Sequence, residues 1–235
     1  IELTLGYDQT FGDFNYNTTF TATSNKNKIK KLASNVKNPV SGELMDLSDI
    51  KLGRFRLRED GEVGALYADR RVEKNDEGYI PYTPGQTIAT ENTTPFKIGT
   101  VNPKWNLGWR HGFNYKGINA SVMFTARIGG NVISKTQATL DRFGVSKTSA
   151  DARETGYVML GNIKMEPQDY YGTIYDLDSY YVYSATNIRL QEASIGYTLP
   201  NKWFGNVVKN VNVSVYGTNL WMIYNKAPYD PELTA

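Results

Sequence analysis

The stretch "WNLGWRHGFNYKGINASVMFTARI", residues 105–128, alternates with period two twice over. In its first half Trp105, Leu107, Trp109, His111, Phe113 and Tyr115 fall on one face, and Asn106, Gly108, Arg110, Gly112 and Asn114 on the other. In its second half Ile118, Ala120, Val122, Phe124, Ala126 and Ile128 oppose Asn119, Ser121, Met123, Thr125 and Arg127, with only Met123 out of pattern. Successive strand side chains point to opposite faces, so each half is a strand with one apolar and one polar side. Lys116 and Gly117 alone separate them, which is the length and the glycine of a primed two-residue turn. That register pairs Tyr115 with Ile118 and Trp109 with Phe124, and both apolar sets then share one side of the sheet.

Weaker alternation recurs at Ile1, Leu3, Leu5 and Tyr7, at Phe14, Tyr16, Phe20 and Ala22, at Ala193, Ile195, Tyr197 and Leu199, and at Val211, Val213 and Val215. Two further segments, "IKLGRFRLR" and "EVGALYADRRV", flank the turn-like "EDG", for about eight strands in all. Near Gln191 the apolar parity changes, because Ile188 and Leu190 are even and the residues after them odd. A β-bulge produces such a change; so does a strand that leaves a bilayer and meets protein above it, and the long loop before this strand favours the second.

Composition narrows the function classes. The 235 residues are 40% hydrophobic and 21% charged, with 17 tyrosines, 21 glycines and no cysteine. Disulfides, thiol nucleophiles and cysteine-based zinc sites are therefore excluded. A net charge of +2, from 26 basic and 24 acidic residues, lacks the basic excess of a nucleic-acid surface. No apolar run reaches the roughly 18 residues of a transmembrane helix, which leaves a membrane barrel open because barrel strands hide their apolar residues at alternate positions. No signal peptide opens the sequence, so the protein is cytoplasmic or its start lies upstream.

Links near 9–13, 59–61, 116–117 and 200–210 are short, those near 30–49, 75–102 and 129–186 are long, and the two kinds alternate. In an antiparallel meander that puts every long loop at one end. The fold expected is an all-β, antiparallel, up-and-down transmembrane barrel segment with short periplasmic turns and long extracellular loops. Tyr7, Trp105, Tyr115, Tyr197 and Trp203 suit its interfacial girdles. A soluble glycan-binding β-domain and a complete eight-stranded barrel of structural or adhesive role are the other classes.

"SATNIRLQEASIGYTLP" (184–200) and "NVNVSVYGTNLWMIYNKAPYDPE" (210–232) resemble the C-terminal barrel region of SusC/RagA-type TonB-dependent transporters of Bacteroidetes. "GTVNPKWNLGWRHGFNYKGINASVMF" and "DRFGVSKTSADARETG" resemble the segments preceding it. The resemblance implies a barrel of about 22 strands, the size of a plugged transporter, of which residues 1–235 would be the C-terminal part, without the plug domain and the final strand. It further implies integral outer-membrane placement, import of an oligosaccharide or peptide, a SusD-like surface lipoprotein as partner, TonB contact through an upstream region, and no catalysis or cofactor.

The candidate contact residues lie in "QDYYGTIYDLDSYYVY": Tyr170, Tyr171, Tyr175, Asp176, Asp178, Tyr180 and Tyr181. Aromatic faces stack on sugar rings and tyrosine is favoured at interfaces, so a substrate or lid-protein contact is one reading. A long loop that packs on itself is the other. Arg110 and Arg127 are expected to face the lumen, and Arg54, Arg56 and Arg58 to lie in the lumen or outside the membrane. "DLD" (176–178) and "DPE" (230–232) lack calcium-loop spacing and read as surface carboxylates. His111, the single histidine, sits on the apolar face and supports neither a triad nor a multi-histidine metal site.

Overall fold

The structure, a computed structural model, describes residues 1–33, 35–45, 47–205, 208 and 210–232. The expected link at 200–210 and the final stretch 226–235 thus lie partly outside the described residues. The chain begins with β1 (Glu2–Phe11) and β2 (Phe14–Thr23), then an insertion carrying β3 (Asp49–Leu52), β4 (Phe55–Arg58), β5 (Ala65–Val72) and β6 (Thr90–Thr100). The hairpin β7 (Trp105–Tyr115) and β8 (Ile118–Ile128) follows. A second insertion holds β9 (Asn131–Ile133), α1 (Lys135–Arg142), α2 (Lys147–Thr155), β10 (Val158–Leu160), β11 (Ile163–Met165), α3 (Pro167–Ile174) and β12 (Val182–Ser184). The long strands β13 (Asn187–Thr198) and β14 (Asn212–Asn225) complete the order.

Six strands form one antiparallel wall in the order β1-β2-β7-β8-β13-β14, and its outer strands do not pair with each other. The β7–β8 hairpin has the expected register, with Tyr115 opposite Ile118 and Trp109 opposite Phe124. Lys116 and Gly117 both have positive φ, 46° and 88°. The second position admits only glycine at low cost, since a Cβ there would come within 3.0 Å of the Thr198 carbonyl oxygen.

Two expectations about the wall change. The segments at 50–58 and 62–72 are strands, but they belong to a separate four-stranded sheet, β3-β4-β5-β6. The first of them is itself a hairpin, with Leu52 paired to Phe55. Alternation identifies a strand without identifying its sheet, so the two long links and the short one between them are parts of a single insertion, 24–104. The parity change near Gln191 is a β-bulge, and the strand does not change environment there. Leu190 pairs with Phe124 and Glu192 with Met123, so Gln191 is the extra residue and Ile188 and Leu190 return to the face of Ala193, Ile195 and Tyr197.

One face of the wall is apolar from edge to edge. Across the sheet the registers align Leu5, Phe20, Trp109, Phe124, Leu190 and Trp221 in one row. Phe11, Phe14, Tyr115, Ile118, Tyr197 and Val213 form another beside the short turns. Tyr115 and Tyr197, two of the residues expected in an interfacial girdle, share this second row, while Tyr7 pairs with Thr18 in mid-strand. The apolar side chains stay exposed, with Leu5 57%, Ile195 62% and Val215 73% accessible.

Polar tips on this face bond to one another. Tyr16 Oη and His111 Nδ1 share a hydrogen bond of 2.7 Å, Trp109 Nε1 donates to Thr18 Oγ1 at 3.0 Å, and Thr18 Oγ1 donates to the Arg110 carbonyl at 2.9 Å. Internal pairing of this kind is what a medium without water demands. The opposite face carries Asn15, Asn17, Thr19 and Thr21, a Ser121–Ser194 hydroxyl pair at 2.8 Å and an Arg110–Glu192 ion pair at 2.8 Å.

Candidate functional site

Both insertions leave the wall at the same end, because β2 and β8 each run away from a short turn. There they fold into one cap. Val72 and Ile88 of the first insertion pack with Leu160, Met165 and Leu177 of the second. Polar contacts repeat the interlock: Tyr82 Oη donates to Asp169 Oδ2 at 2.9 Å, the Gly85 amide donates to the same oxygen at 2.8 Å, and the Ile88 amide donates to Thr173 Oγ1 at 2.9 Å.

Three short helices in the second insertion have no counterpart in the strand-only reading. Their signal was in the capping residues. Ser134 accepts from the Gln137 amide and Ser146 from the Ser149 amide, each at 3.0 Å, and Gly156 ends α2 in a left-handed conformation. At eight or nine residues, the helices are too short to display several turns of 3.6-residue periodicity.

The tyrosine cluster divides between interior and surface. Tyr171 and Tyr181, 5% and 1% exposed, form a core with Ala138 and Ile174, and Tyr170 packs against both cap cores. Tyr175 is half-buried, with the Arg142 guanidinium 4.4 Å and the Lys135 ammonium 5.9 Å from its ring centre. Tyr180 and Asp176 are exposed. Asp178 bridges the insertions through Arg54 at 3.1 Å and also pairs with Lys135 of its own insertion at 2.9 Å.

Arg54, Arg56 and Arg58 lie in the cap, where Asp49 takes Arg56 at 2.8 Å and Arg58 at 3.4 Å. Arg110 and Arg127 lie on the polar face of the wall, and Arg127 donates to the Val101 carbonyl at 2.6 Å. Among the described residues no group of three or more histidine, aspartate or glutamate side chains converges as a metal site.

Burial sets the ionisation of the cap tyrosines. It pushes the Tyr171 phenol up to about 12, aided by the nearby Asp141 charge, and does the same for Tyr183. Tyr181 is raised for the same reasons. A phenol with a raised folded-state pKa supports folding fully below its unfolded value near 10, and that support fades as pH rises towards 12. The cap is therefore expected to open between about pH 10 and 12. In the Tyr171→Phe variant the transition, followed by phenolate absorbance, should move to higher pH.

A cavity of about 580 Å³ opens among the three helices, lined by Asp141, Arg142, Phe143, Arg153, Glu166 and Tyr171. No local sequence pattern marks it, since the turns of three separate helices build it.

An apolar outer face, a polar opposite face and an ordered cap at one end define a section of membrane β-barrel wall with its long loops. Similar chains agree. The chain is 25% identical over 244 residues to a protein named TonB-dependent receptor P3 from Formosa agariphila, covering 94% of this chain and 23% of that protein. Its fold matches that of the RagAB peptide importer in the closed-closed state, with a TM-score of 0.65 and 19% identity, covering 98% of this chain and 26% of that one. The open-open state gives a TM-score of 0.64 at 18% identity, again covering 98% and 26%. No family model matches the chain. The resemblance to SusC/RagA-type TonB-dependent transporters thus holds over nearly the whole chain, which spans about a quarter of the length of the proteins it matches.

Proposed function

We propose that this chain is the C-terminal part of the barrel of a TonB-dependent outer-membrane importer of SusC/RagA type. In this reading it acts without catalysis, as wall and loop platform for the uptake of an oligosaccharide or peptide. The observation that carries the reading is the pairing of a continuous exposed apolar face on six strands with insertions that leave at one end. Strands of 10–14 residues are long enough to cross a bilayer when tilted.

The cap would present Tyr180 and Asp176 outward to a substrate or to a SusD-like surface lipoprotein, while Tyr170, Tyr171, Tyr175, Asp178 and Tyr181 hold that surface in place. Arg110 and Arg127 would line the lumen. Energy transfer from TonB would reach the barrel through other regions of the protein.

The test is uptake by cells lacking the gene, with labelled oligosaccharides and peptides offered separately and the membrane energised or not. Loss of energy-dependent uptake of one class, restored by the gene, is the expected result. Recovery of the protein in the soluble fraction, or unchanged uptake of both classes, would sink the proposal.

A further inference from the structure

A cavity of about 650 Å³ lies where β2 and β7 leave the wall, and the cap sheet closes its other side. Its lining includes Ser24, Lys26, Lys28, Lys97, Lys104 and Trp105. Two of the four lysines are neutralised locally, Lys28 by Asp60 at 2.8 Å and Lys97 by Glu62 at 3.0 Å. Among the described residues Lys26 and Lys104 have no ion-pair partner, so the cavity keeps two uncompensated ammonium groups.

Its position is as informative as its charge. Thr23 pairs with Asn106, and one further step in that register sets Ser24 beside Trp105 on the apolar face. Trp105 therefore stands at the upper margin of the apolar belt, at the level where a bilayer gives way to headgroups. The site is also firmly built: Asn27 accepts from the Val63 amide at 2.7 Å, and Asn102 donates to Glu62 at 2.8 Å and to the Val63 carbonyl at 2.6 Å.

Glu62 completes that frame. Burial opposes its charge, but hydrogen bonds from Asn102, Lys97 and Thr100 outweigh the penalty and hold its carboxyl below the usual range. It stays ionised and occupied with Lys97.

We propose that this cavity binds the phosphate-bearing headgroup of an anionic membrane lipid. Lys26 and Lys104 would take the phosphate, Ser24 would donate to its oxygens, and the Trp105 ring would lie against the first carbons of the lipid. The amphiphile is favoured over a free anion because one margin of the cavity is an aromatic ring on the apolar face while Lys26 and Lys104 line the rest of it. The inference rests on the reading that the apolar face meets lipid.

Native mass spectrometry of the whole purified protein tests it, with anionic phosphorylated lipid, zwitterionic lipid and millimolar inorganic phosphate as separate probes. Wild type should retain the anionic lipid. The double variant Lys26→Gln/Lys104→Gln should lose about thirtyfold in affinity, roughly fivefold for each lysine. Lys147→Gln, at a lysine paired with Asp151 on α2, should bind like wild type.

Equal retention by the double variant, equal binding of zwitterionic lipid, or displacement by inorganic phosphate would each overturn the proposal. Heat-modifiable gel migration shows separately whether each variant still forms the barrel. Failure of wild type to enter membranes at all would instead overturn the barrel reading.

Discussion

A lysine at position 18 is expected to destabilise the wall by about 2–4 kcal/mol, the cost of a cation at the lipid-facing midplane of a barrel. A lysine at position 17 is expected to change stability by less than about 0.5 kcal/mol, as surface substitutions usually do. The two residues are neighbours, both small and polar, so composition does not distinguish them. Their faces do. Thr18 pairs with Tyr7 and His111 on the apolar side, while Asn17 pairs with Asp8 and Gly112 on the polar side. Lysine at 18 would also remove the hydroxyl that accepts from the Trp109 indole and donates to the Arg110 carbonyl, and a Thr18→Val control should measure the loss of both bonds together at about 1–2 kcal/mol. Lysine at 17 would meet the carboxylate of Asp8. Denaturant titration of the whole protein in lipid vesicles measures all three, and equal costs at 17 and 18 would show that the apolar face does not meet lipid.

Arg189→Ala should release the segment after β14 and cost about 3 kcal/mol, the lower end for removing one partner of a buried ion pair. The Arg189 side chain is 7% exposed. It grips Asp230 through bonds of 2.8 and 2.7 Å, with Glu232 at 3.5 Å and Asn219 at 3.4 Å. Removing it leaves Asp230, itself only 25% exposed, without a cation. Trypsin should then cut after Lys226, whose backbone N–H in wild type donates a hydrogen bond to the Thr186 carbonyl. Restoring part of the lost stability by adding Asp230→Asn is the expected sign of a clamp; no recovery would place the arginine's contribution in packing instead.

Sequence patterning revealed the wall because its two faces meet different surroundings, and each of its strands repeats that difference at every second residue. The hairpin at 105–128 is the strongest case, since its apolar and polar sets separate almost completely and its turn demands a glycine. Cap residues carry no such imprint. Strand β5 is buried at Ala65, Leu66 and Ala68, on both faces, so alternation gave its existence without its neighbours. In the tyrosine cluster, Tyr171 and Tyr180 look alike in sequence. One is core and the other surface because α3 turns the first inward, and that helix is held by distant partners, Tyr82 and Gly85. The carboxylates at 178 and 230 read as ordinary surface groups for the same reason: their partners, Arg54 and Arg189, lie 124 and 41 positions away.

The bulge at Gln191 gives strand β13 a spare residue. Against β8, deleting it would make Leu190–Phe124 and Glu192–Met123 consecutive rungs and keep the two faces in step, while β14 would retain its own irregularity between Thr218 and Trp221. Deleting any single residue between 193 and 198 would instead invert every side chain from there to the turn. Towards β8, residue 191 is therefore spare in length, tied only sideways through its side-chain amide to Asn219 of β14 at 2.9 Å, while positions 193–198 are locked in phase.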